Sequence, residues 1–168
     1  MLPNELSYAD GAQIACGFGT VYEGLQRIGI SGTDAVLVMG LGPVGLAALQ
    51  LSKALGARKL IGIDINPDRV ALAQTLGLLH HGFVAGSENV QQVLSVTDGK
   101  GCEKTVDCSG NKVARHTCID AARQVSMSQG HTYYHHLPST SLSLYLLLCD
   151  HSGARSASSE RDTTFTST

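Results

Sequence analysis

The 168-residue chain lacks a surplus of either charge: 12 Lys and Arg stand against 14 Asp and Glu, a net charge of -2. That balance leaves no electrostatic footprint for nucleic acid or for an anionic membrane surface. No apolar run approaches the roughly 20 residues of a membrane span. The longest candidate, Leu142 to Cys149, is short and contains Ser143. A basic stretch followed by an apolar core is missing from the N-terminus, so no secretory leader is read there. The expected location is cytoplasmic. No pair of cysteines has C-x-x-C spacing, and the five of them (Cys16, Cys102, Cys108, Cys118 and Cys149) are odd in number. A disulfide framework is therefore not expected.

Hydrophobic residues make up 43% of the chain, which suits a globular protein. Glycine is abundant, with 19 residues, and all but two precede residue 125. The composition changes near Gln124. The stretch 125–168 has no isoleucine and no lysine and is rich in Ser and Thr. Such a segment buries too little apolar surface to offset the entropy of ordering, and it is expected to be largely disordered. Within it, Leu142 to Leu148 is readable as a strand or as loose chain. Three regions follow: a helical lead-in over 1–34, an α/β body over 35–124 and the tail over 125–168.

The body alternates strands and helices. Ser7 with Asp10 reads as a capping box opening a short helix, which Gly17 and Gly19 interrupt. A second helix runs from Val21 to Ile28. Ala35 to Met39 is a continuous apolar run, as in a strand buried on both faces. Pro43 starts a helix whose apolar positions Val44, Ala47, Ala48, Leu51 and Leu55 share one face, with Gly56 as its stop. Leu60 to Ile63 is the next strand, closed by Asp64. Asn66-Pro67 opens a helix that Gly77 ends. Phe83-Val84 is a short strand, and Ser87 is expected to cap the helix after it. Thr105 to Cys108 is a fourth strand, and Asn111 starts another helix. This order predicts an α/β, Rossmann-type, doubly wound parallel sheet.

Gly40-Leu41-Gly42-Pro43-Val44-Gly45 is G-x-G-x-x-G between a buried strand and a helix. Gly40 permits the tight turn, Gly42 lets backbone approach a pyrophosphate, and Gly45 lets the helix pack closely. Amide hydrogens and the helix dipole then face the phosphates. Asp64 follows at about the 20-residue spacing of the acid that binds the adenosine ribose. Its charge would repel a 2′-phosphate, which favours NAD over NADP. Arg69 either contacts the ribose or pairs with Asp64 or Asp68.

Four blocks occur in order: Cys16-Gly17-Phe18-Gly19-Thr20, Val38 to Gly45, Ile63-Asp64-Ile65-Asn66, and Val106-Asp107-Cys108-Ser109-Gly110. Together they resemble the cofactor domain of zinc-type medium-chain alcohol and polyol dehydrogenases, over roughly residues 2–124. No Tyr-x-x-x-Lys follows any of the five tyrosines, which disfavours the short-chain dehydrogenases. The resemblance implies hydride transfer between an alcohol or polyol and NAD, with zinc as Lewis acid. It implies that Cys16 is a zinc ligand and that Thr20 and Val44 pack against the nicotinamide. Asp64 and Arg69 would contact the adenosine ribose, with Gly40, Gly42, Pro43 and Gly45 at the phosphates. Cys108, Ser109 and Gly110 would lie beside the crevice. The same resemblance makes this a truncated cofactor domain. The domain that supplies the remaining zinc ligands and the pocket walls is expected to be absent, so zinc is not expected to be held by this chain alone. In the strand order 3-2-1-4-5-6, strands 5 and 6 would be missing, the fourth strand would be a bare edge, and the family's homo-oligomer interface would be lost. The alternatives are a non-catalytic NAD-binding module and a non-functional truncated product.

Overall fold

A computed structural model describes residues 2–123 throughout and, of the later chain, the backbone of 132–139 and 142–149. The layering follows from one strand. β1 (Ala35–Met39) is buried at every position. Because strand side chains alternate, Val36 and Val38 enter one core and Ala35, Leu37 and Met39 the other. A five-residue strand that must be apolar on both faces belongs in the middle of a sheet covered on both sides.

β1 pairs in parallel with β2 (Lys59–Asp64) on one side and β4 (Lys104–Asp107) on the other. β2 pairs in parallel with β3 (His81–Val84). Of the helices, α2 (Gly19–Ile28), α3 (Pro43–Ala54) and α4 (Pro67–Thr75) contribute to the first core through Leu25, Leu49 and Val70. The second core takes Val93 from α5 (Asn89–Val96) and Cys118 and Ala121 from α6 (Lys112–Ala121). The chain builds outward from β1 to β2 and β3, then returns to lay β4 against the opposite side of β1. The direction of winding thus reverses between β1 and β4. Open α/β sheets bind ligands at the strand ends of such a switch point.

Local chemistry sets most boundaries as expected. The Ser7–Asp10 capping box is present at α1 (Tyr8–Gln13). Asn66 and Asn111 cap α4 and α6 by accepting the N–H of Asp68 and Val113, each at 2.8 Å. Beyond α3 and α4, Gly56 and Gly77 take positive φ of 94° and 65°, which is how helices commonly stop.

Three expectations are corrected. Gly17 and Gly19 do not break the first helix. The chain widens into a π-helical turn over Ile14–Phe18 and runs on into α2, with Gly19 in the right-handed helical region. A wider turn keeps the backbone hydrogen-bonded, so low helix propensity is overridden. Ser87 does not cap α5. The N-cap is Glu88 without a side-chain bond, and Asn89 instead accepts the Gly86 N–H at 2.5 Å. Finally, β4 is not a bare edge: of the two readings of Leu142 to Leu148 the strand is the one present, and 132–139 forms a strand beside it. β6 (Leu142–Cys149) pairs antiparallel with β4, and β5 (Thr132–Ser139) pairs with β6, giving the order β3-β2-β1-β4-β6-β5. An unpaired strand edge presents a row of backbone donors and acceptors, and the leucine-rich segment 142–148 supplies their partners. The remainder of the expected disorder, at 125–131, 140–141 and 150–168, lies outside the described residues.

The amino-terminal edge of the sheet is closed by polar bonds. Buried Glu103 accepts the Ala35 N–H and pairs with Arg123, both at 2.7 Å. Burial opposes ionisation of Glu103, but these two partners outweigh it and hold the carboxyl below its ordinary value. Asp34 accepts the Ser31 N–H at 2.7 Å, and Lys59 donates its ammonium to the Val96 carbonyl. His80 Nδ1 accepts the Leu60 N–H at 2.9 Å, extending the β2–β3 ladder with a side chain.

Candidate functional site

The carboxyl ends of β1, β2 and β4 converge on one bend, and its glycines serve different purposes. Gly40 has φ of 85°, the left-handed region that disfavours side chains. Its N–H donates to the Ile63 carbonyl at 2.8 Å, tying the bend to β2. A Cβ on Gly40 would lie 2.9 Å from the Ser109 nitrogen, so the turn after β4 presses directly on the bend. A Cβ on Gly45 would overlap the Gly40 carbonyl oxygen, because α3 sits on the turn it leaves. Gly42 differs: among the described residues, a Cβ there would meet nothing within 4 Å. Its φ of -70° is open to any residue, so the empty space is a property of the site and not of the chain's own packing.

Gly42 is the N-cap of α3 and offers no side-chain bond, and Pro43 follows it. First-turn amides of a helix have no acceptor within the helix. An uncapped helix start facing open space therefore presents donors and the positive end of the dipole to an anion.

Asp64 ends β2 and is only 4% exposed. Its Oδ2 accepts the Leu41 N–H at 2.6 Å, and its Oδ1 accepts the Asn66 N–H at 2.8 Å. The carboxylate thus points at the glycine bend and does not turn away from it. Arg69, half exposed, places Nη1 3.7 Å from Asp64 Oδ2. Arg69 thus pairs with Asp64, as one of its sequence readings had it.

A cleft of about 770 Å³ opens at these strand ends, and its lining includes Gly40, Gly42, Asp64, Arg69, Cys108 and Ser109. Pro43, Val44, Gly45, Gly110 and Thr20 lie outside the lining. Val44 packs against the first core, and Thr20 Oγ1 donates to the Cys16 carbonyl at 2.8 Å. The cleft also takes residues the sequence did not single out. Ile65 and Val113 line it with large apolar side chains that are 81% and 73% exposed. Ile65 directly follows Asp64, which is a signal the sequence did carry. Buried Asn89 is another: besides its bond from Gly86, it donates to the Val84 carbonyl at 3.0 Å and to Gln92 Oε1 at 2.9 Å. It holds the 85–88 loop as one wall of the cleft. An Asn at a helix start reads as an ordinary cap, and nothing local distinguishes it.

Cys16 is exposed in the π-helical turn. Among the described residues, no group of three or more His, Cys, Asp or Glu side chains lies close enough to hold a metal ion. The described residues therefore do not fit a zinc centre. The other described thiols are poor nucleophiles. Burial pushes Cys102 up to about 12, and burial with the adjacent Asp107 charge raises Cys108 further. Among the described residues, no helix is long and apolar enough to cross a membrane.

Similarity to known proteins matches this geometry. The family described as zinc-binding dehydrogenase matches residues 43–126. The zinc-type alcohol dehydrogenase-like protein YphC of Escherichia coli (strain K12) is 48% identical over 115 residues, covering 68% of this chain and 33% of that protein. Sorbitol dehydrogenase of Bacillus subtilis (strain 168) is 27% identical over 124 residues, covering 74% of this chain and 35% of that enzyme. Among solved structures, alcohol dehydrogenase TADH from Thermus sp. ATN1 superposes with a TM-score of 0.64 at 30% identity, covering 73% of this chain and 36% of that one. The chain spans about a third of the length of these relatives.

Proposed function

The chain belongs to the zinc-binding dehydrogenase family, and from that premise we propose that its cleft binds NAD as the cofactor site of an alcohol or polyol oxidoreductase. One observation carries the reading: an uncapped helix start over open space, with a buried carboxylate beside it at the end of the next strand. The diphosphate would take the first-turn amides of α3 above Gly42. Asp64 would accept the adenosine ribose hydroxyls with the lone pairs that Leu41 and Asn66 leave free. Ile65 and Val113 would flank the adenine with apolar surface. The turn Cys108-Ser109-Gly110, together with Thr20 and Val44, would lie toward the nicotinamide.

Asp64 also supports NAD over NADP, since a carboxylate at the ribose repels a 2′-phosphate. Arg69 alone would favour that phosphate, but it faces the Asp64 carboxylate. When bound, the nicotinamide supplies a hydride acceptor. This chain's residues bind and orient it, and no proton or metal step is assigned to them. The substrate class rests on the relatives, which include an alcohol dehydrogenase and a sorbitol dehydrogenase.

Calorimetric titration of the purified chain with NAD and NADP tests the reading. NAD is expected to bind more tightly, and D64A is expected to weaken NAD by about tenfold or more, as for loss of hydrogen bonds to a charged acceptor. Tighter binding of NADP would remove Asp64 from this role, and no binding of either would remove the dinucleotide reading. Alcohol-dependent NADH formation, with and without added zinc, then separates an enzyme from a binding module.

A further inference from the structure

Asp107 ends β4 as Asp64 ends β2, and the two carboxylates make parallel turns. Each accepts, through Oδ1 at 2.8 Å, the N–H of the residue two positions on: Asn66 for Asp64 and Ser109 for Asp107. Each turn then leads to an Asn that caps the following helix, Asn66 for α4 and Asn111 for α6. Asp107 adds a second bond at the same oxygen, from Ser109 Oγ at 2.5 Å. Ser109 Oγ in turn accepts the Asn111 N–H at 3.1 Å. Ser109 is therefore held by its amide and its hydroxyl to one carboxylate oxygen.

That restraint falls at the tightest point of the site. The Ser109 backbone is the surface against which Gly40 lies, and a Cβ on Gly40 would come within 2.9 to 3.0 Å of the Ser109 nitrogen, Cα and Cβ. Asp64 fixes the other flank of the bend through the Leu41 N–H. The glycine bend is thus gripped between two strand-end carboxylates, one acting directly and one through Ser109. Asp107 is 1% exposed, and its Oδ2 has no hydrogen-bond partner among the described residues. Among the described residues, the side-chain hydrogen bonds of Asp107 all run through Oδ1 to Ser109.

We propose that Asp107 is a positioning residue for the dinucleotide site: it locks Ser109 against Gly40 and so sets the bend that receives the diphosphate. The proposal rests on the dinucleotide reading above and assigns Asp107 no contact with the ligand.

The test compares NAD and adenosine 5′-monophosphate binding to the full chain and to D107A, D107N and S109A. D107A removes the acceptor and is expected to weaken NAD by at least about tenfold. It is expected to leave the monophosphate within about twofold, because the adenosine side is held by Asp64. D107N keeps an oxygen for Ser109 and replaces only the unpaired one, so it should bind NAD within about twofold of the parent chain. S109A keeps the amide bond and should fall between the two. A general loss of structure would weaken both ligands together, so the split between them separates positioning from stability. If D107A does not fold, the D107N and S109A pair decides. D107N as weak as or weaker than S109A would show that the unpaired oxygen or the charge matters, and would overturn the proposal. Unchanged NAD binding in D107A would also overturn it. Failure of the unaltered chain to bind NAD would instead defeat the dinucleotide reading itself, and this proposal with it.

Discussion

The two edges of the same sheet are built on opposite principles. At the amino edge the charged side chains are neutralised: Glu103 closes on Ala35 and Arg123, Asp34 on Ser31, and Lys59 on a helix carbonyl. At the carboxyl edge the polar groups are, among the described residues, left unfinished: α3 starts without a side-chain cap, Gly42 faces empty space, and Asp107 keeps an unpaired oxygen. The central strand β1 between them is apolar and buried at every position, so the core forms without either edge. The difference separates stability from the proposed binding by strand direction. A parallel sheet places all its strand ends of one kind together, and the ends that carry helix starts become the site.

Substitutions at the glycine bend break the comparison most sharply. G45A adds a methyl where the Gly40 carbonyl already lies, and α3 must lift off the bend. The expected loss is at the upper end of the overpacking range, about 3 kcal/mol or more, read as the urea midpoint. G42A adds the same methyl to open space at an ordinary φ. It should keep the parent urea midpoint and still weaken NAD by about tenfold, because the methyl occupies the diphosphate's approach. Equal effects of the two variants on stability would contradict the separate roles assigned to them.

The amino edge sharpens the comparison from the other side. E103Q should lower stability by about 2 kcal/mol, as for a charge-assisted buried bond that is partly open to solvent, without changing NAD affinity. The sign of its pH dependence is fixed by the direction of the shift. Glu103 is held below its ordinary value of 4.5, so its stabilisation is complete above that pH and is lost as pH falls below it. Acid unfolding of E103Q should be flatter in that window than that of the parent chain. The smallest effect concerns the thiols. At neutral pH a maleimide should label exposed Cys16 quickly, half-buried Cys108 slowly, and buried Cys102 and Cys118 only on unfolding.

Legibility in the sequence follows the range of the interaction. Gly40, Gly42, Gly45 and Asp64 were readable because their duties are local: a turn, a close helix and a strand end impose residue types at fixed offsets. The parallel order of the first four strands was readable for a similar reason, since a continuous apolar run such as Ala35 to Met39 has to be buried on both faces. Asn89 and Asp107 were not readable as parts of the site. Their importance lies in partners that only the folded turn brings together, the Gly86 amide for one and the Ser109–Gly40 contact for the other. The π-helical turn escaped because two glycines lower helix propensity while leaving the helical conformation open to them. The β4–β6 pairing escaped because it depends on an edge that no local signal displays.

The central claim is that the carboxyl edge, and not the amino edge, receives a dinucleotide at the Gly40–Gly45 bend. Titrating the isotope-labelled chain with NAD and following backbone amide resonances tests it directly. The account predicts the largest shifts at Leu41, Gly42, Val44, Ile65 and Ser109, with Ala35, Glu103 and Arg123 unmoved. Shifts centred on the amino edge, or none at the bend at saturating NAD, would contradict it.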